Sequence, residues 1–232
     1  MVSPPAQPVV NQEKGMSMPT KLDQLSSDLD EAFARTPQAE AMQWAMVPLL
    51  RLLTRGRPVS AEELAASAGR DVEEVRQVLP TLPSVELDEQ GRVVGSGITL
   101  NPTPHRFVVD GQTLFTWCAL DTLIFPSLLG KAAQVESPCQ GTGEPVRVSV
   151  TPDGVTSVEP ATSVVSIVTP SEVSAIRSSF CNHVHFFASE HAASSWLDQR
   201  PEATVVPVAE AFELGRRLAV ARFTDSAGGS CC

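Results

Sequence analysis

The chain has 232 residues, 42% of them hydrophobic and 19% charged. That composition belongs to a folded chain with a sizeable core, not to a disordered one. The formal charge of −10 repels phosphate backbones and anionic lipid, which argues against nucleic acid and membrane as partners.

No run reaches the ~18 uninterrupted apolar residues of a membrane-spanning helix. The opening MVSPPAQPVVNQEKG has neither the basic start nor the apolar centre of a secretory leader, so a cytoplasmic protein is expected. Cysteines stand at Cys118, Cys139, Cys181, Cys231 and Cys232. In a reducing compartment an odd, widely spaced set reads as free thiols or metal ligands, not as a disulfide framework.

Residues 1–20 are proline-rich, without periodicity, and read as a flexible tail. Leu22, Leu25, Leu29 and Phe33 then recur at helical spacing. Thr36-Pro37 reads as an N-cap and first helical residue, opening a helix that runs to about Gly56 and is kinked or divided at Pro48. Ser60 with Glu63 forms a capping box for a short helix, and Asp71 with Glu74 caps another. VELDEQGRVVGSGITL reads as two strands around Gln90-Gly91. Three helices and a hairpin predict a winged-helix-like unit within residues 21–100. Its short DVEEVRQVL helix is acidic, whereas a helix that reads DNA needs donors and positive charge.

Residues 101–223 are rich in short β patterns. Strands are expected near 106–110, 113–117, 133–137, 146–150, 155–159, 164–169, 183–187 and 205–207. Helices are expected at 119–129, 171–178, 194–199 and 209–223. Short connections favour antiparallel pairing. The predicted fold class is α+β: a winged-helix-like helical unit packed on a catalytic core of antiparallel sheets with short helices. Residues 224–232 form a glycine- and serine-containing tail that ends in the Cys231-Cys232 pair.

Chemistry centres on LFTWCALDTLIFPSLLG, residues 114–130, an apolar run that holds Cys118 and Asp121. Three residues apart on a helical turn, they share a face. A carboxylate beside a thiol can take its proton and return it elsewhere, and apolar surroundings raise its pKa towards neutrality. The competing reading is a buried cysteine beside a helix-capping aspartate. In SSFCNHVHFFASEH, Cys181, His183 and His185 alternate; on a strand they would face one side and could ligate a metal. Without a second cysteine pair nearby, a structural zinc site is weakly supported, and the histidines could simply bond backbone groups in a buried strand. If Cys118 and Cys181 meet beside Asp121, two thiolates suit a soft ion such as Cu(I) or Hg(II), and the acid makes sense only where a proton is delivered. Trp117 and Phe125 flank the pair and would either shape an apolar pocket or simply pack the core.

The stretches LFTWCALDTLIFPSLLG, VEPATSVVSIVTP and SSFCNHVHFFAS, with VPLLRLLTRGRPVS upstream, resemble the alkylmercury lyase (organomercurial lyase, MerB) family over residues 22–223. The resemblance implies cleavage of a carbon–mercury bond by protonation, giving a hydrocarbon and Hg(II). It implies Cys118, Cys181 and Asp121 as the catalytic and mercury-binding residues. Asn182 stands where some members have a further cysteine, and Cys139 matches a cysteine that looks structural. No cofactor is implied beyond Hg(II) held as product. Low-molecular-weight thiols or a mercuric reductase would accept that ion, with Cys231 and Cys232 as a possible relay. In the simplest scheme Asp121 first takes the proton of Cys118. Two other classes of function compete with a lyase: a soft-metal carrier without chemistry, and a metal-responsive winged-helix regulator.

Overall fold

The computed structural model describes residues 20–35, 39–82, 84–169 and 176–223. The expected Thr36-Pro37 helix start, nearly all of the N-terminal tail and the Cys231-Cys232 pair lie outside them.

Helix α1 spans Lys21–Ala34 and α2 spans Ala39–Leu53. A capping box starts α1: Thr20 accepts from the Asp23 main chain while Asp23 reaches back to Thr20. Pro48 does not divide α2, which runs on to Leu53. Helix α3, Ala61–Ala68, has the expected Ser60/Glu63 box and ends at Gly69 in the left-handed conformation. Helix α4, Val72–Val78, is capped by Asp71. The expected two-stranded hairpin is three strands: β1 (Glu86–Leu87), β2 (Val93–Ser96) and β3 (Ile98–Thr99). Gly97, at φ +76°, makes the reversal between β2 and β3.

The core continues with β4 (His105–Val109), β5 (Gln112–Thr116), α5 (Ala119–Leu129), β6 (Ala133–Pro138), β7 (Pro145–Thr151), β8 (Gly154–Glu159) and β9 (Val164–Ile167). Then follow α6 (Ile176–Ser179), β10 (Phe186–Phe187), α7 (Glu190–Leu197), β11 (Thr204–Pro207) and α8 (Val208–Phe223). Helix α7 starts before the expected residue 194, because Ser189 caps it by accepting from the Ala192 main chain.

Strands β1-β2-β3-β5-β4-β6-β7-β8 make one antiparallel sheet, and β10-β9-β11 make a second. The first sheet therefore runs from the winged-helix-like unit straight into the core. Strand β6 alternates buried and exposed side chains along its length, so that sheet has one covered face. Helix α5 lies on it and also packs against α2 and α8. Most α5 side chains are buried and none is exposed, which explains why the run is apolar without helical periodicity. Gly215 lets α8 approach α5 closely, since a Cβ there would collide with Ile124. Among the described residues, no helix is long and apolar enough to cross a membrane.

Candidate active site

The site forms where β5 ends and α5 begins. Cys118 is the N-cap of α5 in an extended conformation, and its sulfur makes no capping hydrogen bond. Its main chain is fixed instead: Thr116 Oγ1 donates to the Cys118 carbonyl at 3.0 Å. Asp121 sits in the first turn of α5. The one-turn spacing read from the sequence thus becomes a shared face at a helix N-terminus.

Cys181 arrives from far along the chain. The expected strand through Cys181, His183 and His185 does not form. Cys181–His183 wind into a 3-10 turn, and β10 starts only at Phe186. Two contacts impose that turn. The Ala119 N–H at the start of α5 donates to the Val184 carbonyl at 3.1 Å. Ser166 of β9 donates to the His183 carbonyl at 2.8 Å and accepts from the His185 N–H at 2.9 Å. Among the described residues, neither histidine belongs to the metal-capable group that contains Cys181. His185 faces His105, with ring centroids 6.5 Å apart, and meets Trp196 edge-on.

Among the described residues, the group able to hold a metal ion is Cys118, Asp121 and Cys181, whose ligand atoms all lie within 4.8 Å of one another. Both cysteines are buried free thiols. Asp121 is partly exposed as a residue, but its Oδ2 is buried with no hydrogen-bond partner. Burial raises the Asp121 carboxyl to about 7, against opposing hydrogen bonds from the Cys118 thiol and from the main chain at Cys118 and Trp117. Burial first, then the hydrogen bond with Cys181 and the charge on Asp121, pushes the Cys118 thiol well above its ordinary range. The pair is thus set up to keep protons out of water, with the carboxyl balanced near neutral pH.

A cavity of about 390 Å³ opens onto this cluster, lined by Phe33, Met46, Trp117, Phe125 and Phe180 among others. Asp121 and Cys181 are on its wall, whereas Cys118 is not. Trp117 and Phe125 therefore do both things the sequence allowed: they pack the core and shape the pocket. The winged-helix-like unit supplies part of the wall, Phe33 from α1 and Met42 and Met46 from α2. Cys139 lies outside the cluster. Its buried sulfur accepts from the Ala188 N–H at 3.2 Å, tying the β6–β7 turn to the segment after β10. Burial alone would raise that thiol, but hydrogen bonds from Thr142, Ala188 and Gly141 bring it below its usual value.

Sequence reasoning missed Glu86 and Arg177. Glu86 Oε1 accepts from Trp117 Nε1 at 2.9 Å and pairs with Arg177, whose guanidinium carbon lies 5.0 Å from the Trp117 ring centroid. No local motif could have announced this, because the partners are 31 and 91 residues from Glu86.

The Asp121 shift predicts a pH-dependent stability. An unfolded chain ionises this carboxyl near 3.8, and the folded chain holds its proton up to about 7. Its contribution is full below the unfolded value and is lost as pH rises through the folded one. Across pH 4 to 8, Asp121→Asn should gain stability relative to the unsubstituted chain, with a ceiling on the order of 4 kcal/mol. Urea melts across that range check it; parallel stability curves would contradict a buried, neutral carboxyl.

Comparisons with known proteins bear on the chain as a whole. A family profile described as alkylmercury lyase matches residues 98–220, and one described as the helix-turn-helix domain of alkylmercury lyase matches residues 24–97. An alkylmercury lyase of Staphylococcus epidermidis is 57% identical over 91% of this chain and 98% of its own. One from Streptomyces lividans is 53% identical over 93% of this chain and 100% of its own. One from Pseudomonas putida is 46% identical over 87% and 95%. A crystal structure of the mercury-bound form of MerB2 shares the fold, with a TM-score of 0.69 at 23% identity, covering 84% of this chain and 96% of that one. The chain belongs to the alkylmercury lyase family.

Proposed function

We propose that this chain cleaves the carbon–mercury bond of organomercurials by protonolysis, releasing a hydrocarbon and leaving Hg(II) on Cys118 and Cys181, as part of organomercury detoxification and resistance. One observation carries the reading: two buried thiols and a carboxyl whose Oδ2 is buried converge within 4.8 Å beside an apolar cavity, with Asp121 and Cys181 on its wall. A soft-metal carrier would need the thiols alone and leaves Asp121 without a task.

The cavity wall supports an order of events different from the simplest scheme. Mercury entering with its organic group meets Cys181 first, because Cys118 is not on the wall. Cys181 bonds to mercury as a thiolate, its proton leaving to solvent with the displaced ligand. Cys118 holds its proton until the metal arrives, then passes it to ionised Asp121 and becomes the second sulfur ligand. Two thiolates push electron density onto mercury and make the bound carbon more basic. Asp121 returns the proton to that carbon, so one C–H bond forms as the C–Hg bond breaks. The balance is R–Hg⁺ plus two thiols giving R–H, a neutral dithiolate of Hg(II) and one proton. The metal is substrate and product here, and no resident cofactor takes part. Burial keeps the carboxyl near its balance point, and the apolar lining of the cavity holds the organic group next to it.

The remaining assignments are also proposals. The reaction runs in the cytoplasm, in keeping with Cys118, Cys139 and Cys181 all being free thiols. The helix-turn-helix unit serves as a wall of the cavity and not as a reader of nucleic acid. Its Arg70 and Arg76 are engaged by Glu62, Glu73 and Glu74, which leaves them poorly placed for phosphates. Low-molecular-weight thiols or a mercuric reductase take the Hg(II), and Cys231 and Cys232 relay it.

Headspace chromatography after adding methylmercury tests the main reading. Cys118→Ser and Cys181→Ser should each lower methane release at least 100-fold, and wild-type rates from either would overturn it. Asp121→Ala should keep Hg(II) binding and lose methane release. Deleting residues 231–232 should slow transfer of Hg(II) to an acceptor dithiol while methane release persists; unchanged transfer would remove the relay.

A further inference from the structure

We infer that Glu86, outside the cavity, is the positioning residue that sets the separation of the two cysteine-bearing segments. The inference rests on the lyase reading above. Glu86 lies on β1 of the winged-helix-like unit, with its side chain 16% exposed. Its carboxylate is fully engaged. Oε1 accepts from Trp117 and from Arg177; Oε2 accepts from Thr99 Oγ1 at 2.7 Å and from Asn101 Nδ2 at 2.9 Å. Four donors on two oxygens hold a partly buried charge in one orientation.

Two of those donors belong to the catalytic segments. Trp117 is the residue before Cys118. Arg177 is in α6, one turn before Cys181, and Phe180 continues that turn by donating to the Ile176 carbonyl at 2.9 Å. The Arg177 guanidinium also lies over the Trp117 ring, so Glu86, Trp117 and Arg177 close a triangle. One corner is anchored to the sheet, one leads into Cys118 and one into Cys181. The backbone makes room for it. Gly95 is the cross-strand partner of Glu86, and a Cβ there would fall 2.8 Å from Thr99 Oγ1 and also on Glu86 Oε2.

Glu86 and Arg177 do not line the cavity. Their loss should therefore spare substrate capture and damage the alignment of sulfur, mercury and carboxyl. A misplacement of about 1 Å at reacting groups costs on the order of 100-fold in rate.

Steady-state hydrocarbon release from phenylmercury tests this with Glu86→Gln, Glu86→Leu, Arg177→Met and the Glu86→Gln/Arg177→Met double variant. Glu86→Gln keeps an acceptor for Trp117 and loses the charge facing Arg177; kcat should fall about tenfold. Glu86→Leu should fall about 100-fold, and Glu86→Gln carries the test if that variant does not fold. KM should stay within about twofold throughout. The double variant should lose no more kcat than the worse single one, because both act through one triangle. Unchanged kcat in Glu86→Gln, a loss confined to KM, or multiplicative losses in the double variant would overturn the inference. No benzene from the unsubstituted chain would instead overturn the lyase reading.

Discussion

Desolvation of one carboxyl governs this site. In water Asp121 would ionise near 3.8 and offer a proton to nothing at neutral pH. Burial moves it to about 7, where it can both accept a proton and give one. The same burial pushes the Cys118 thiol well above its ordinary range and so favours its protonated form. Neither effect survives on an exposed turn. The apolar run around Cys118 and Asp121 therefore tunes both groups as well as forming part of the core of the fold.

Keeping that cluster dry takes both parts of the chain. The β-sheet core places Cys118 and Asp121 at the start of α5, and the turn before β10 brings up Cys181. Helices α1 and α2 supply Phe33, Met42 and Met46 to the cavity wall, with Phe33 edge-on to Phe180 beside Cys181 at 5.1 Å. The sheet runs unbroken from β1 into the core. Part of the helix-turn-helix unit thus forms one wall of the cavity.

Local features were legible in the sequence and long-range ones were not. Helix α5 matches its expected span because Gly130 stops it in the left-handed conformation and Asp121 belongs to its first turn. The Cys118–Asp121 coupling is equally local. Cys181 could be linked to them only conditionally by its chemistry, and by family resemblance. Its alternation with His183 and His185 suggested a strand, but hydrogen bonds from Ala119 and Ser166 bend the chain into a 3-10 turn. Those contacts join residues from separate elements, 17 and 19 positions apart for Ser166 and farther for Ala119, and leave no periodic trace. The β1–β3 region failed for a smaller reason: VVGSGITL reads as one strand unless Gly97 is recognised as a reversal. Glu86 shows the limit most clearly. An acid on a short strand looks like a surface residue until Trp117 and Arg177 are brought against it.

In the proposed reaction Asp121 supplies the proton that frees the organic group while the two sulfurs keep the metal. Native mass spectrometry of the protein after a single equivalent of phenylmercury reads both halves at once. The unsubstituted chain should carry bare Hg(II), its phenyl group gone as benzene, and Asp121→Asn should carry phenylmercury intact. Bare Hg(II) on the Asp121→Asn protein within the same time would contradict the account.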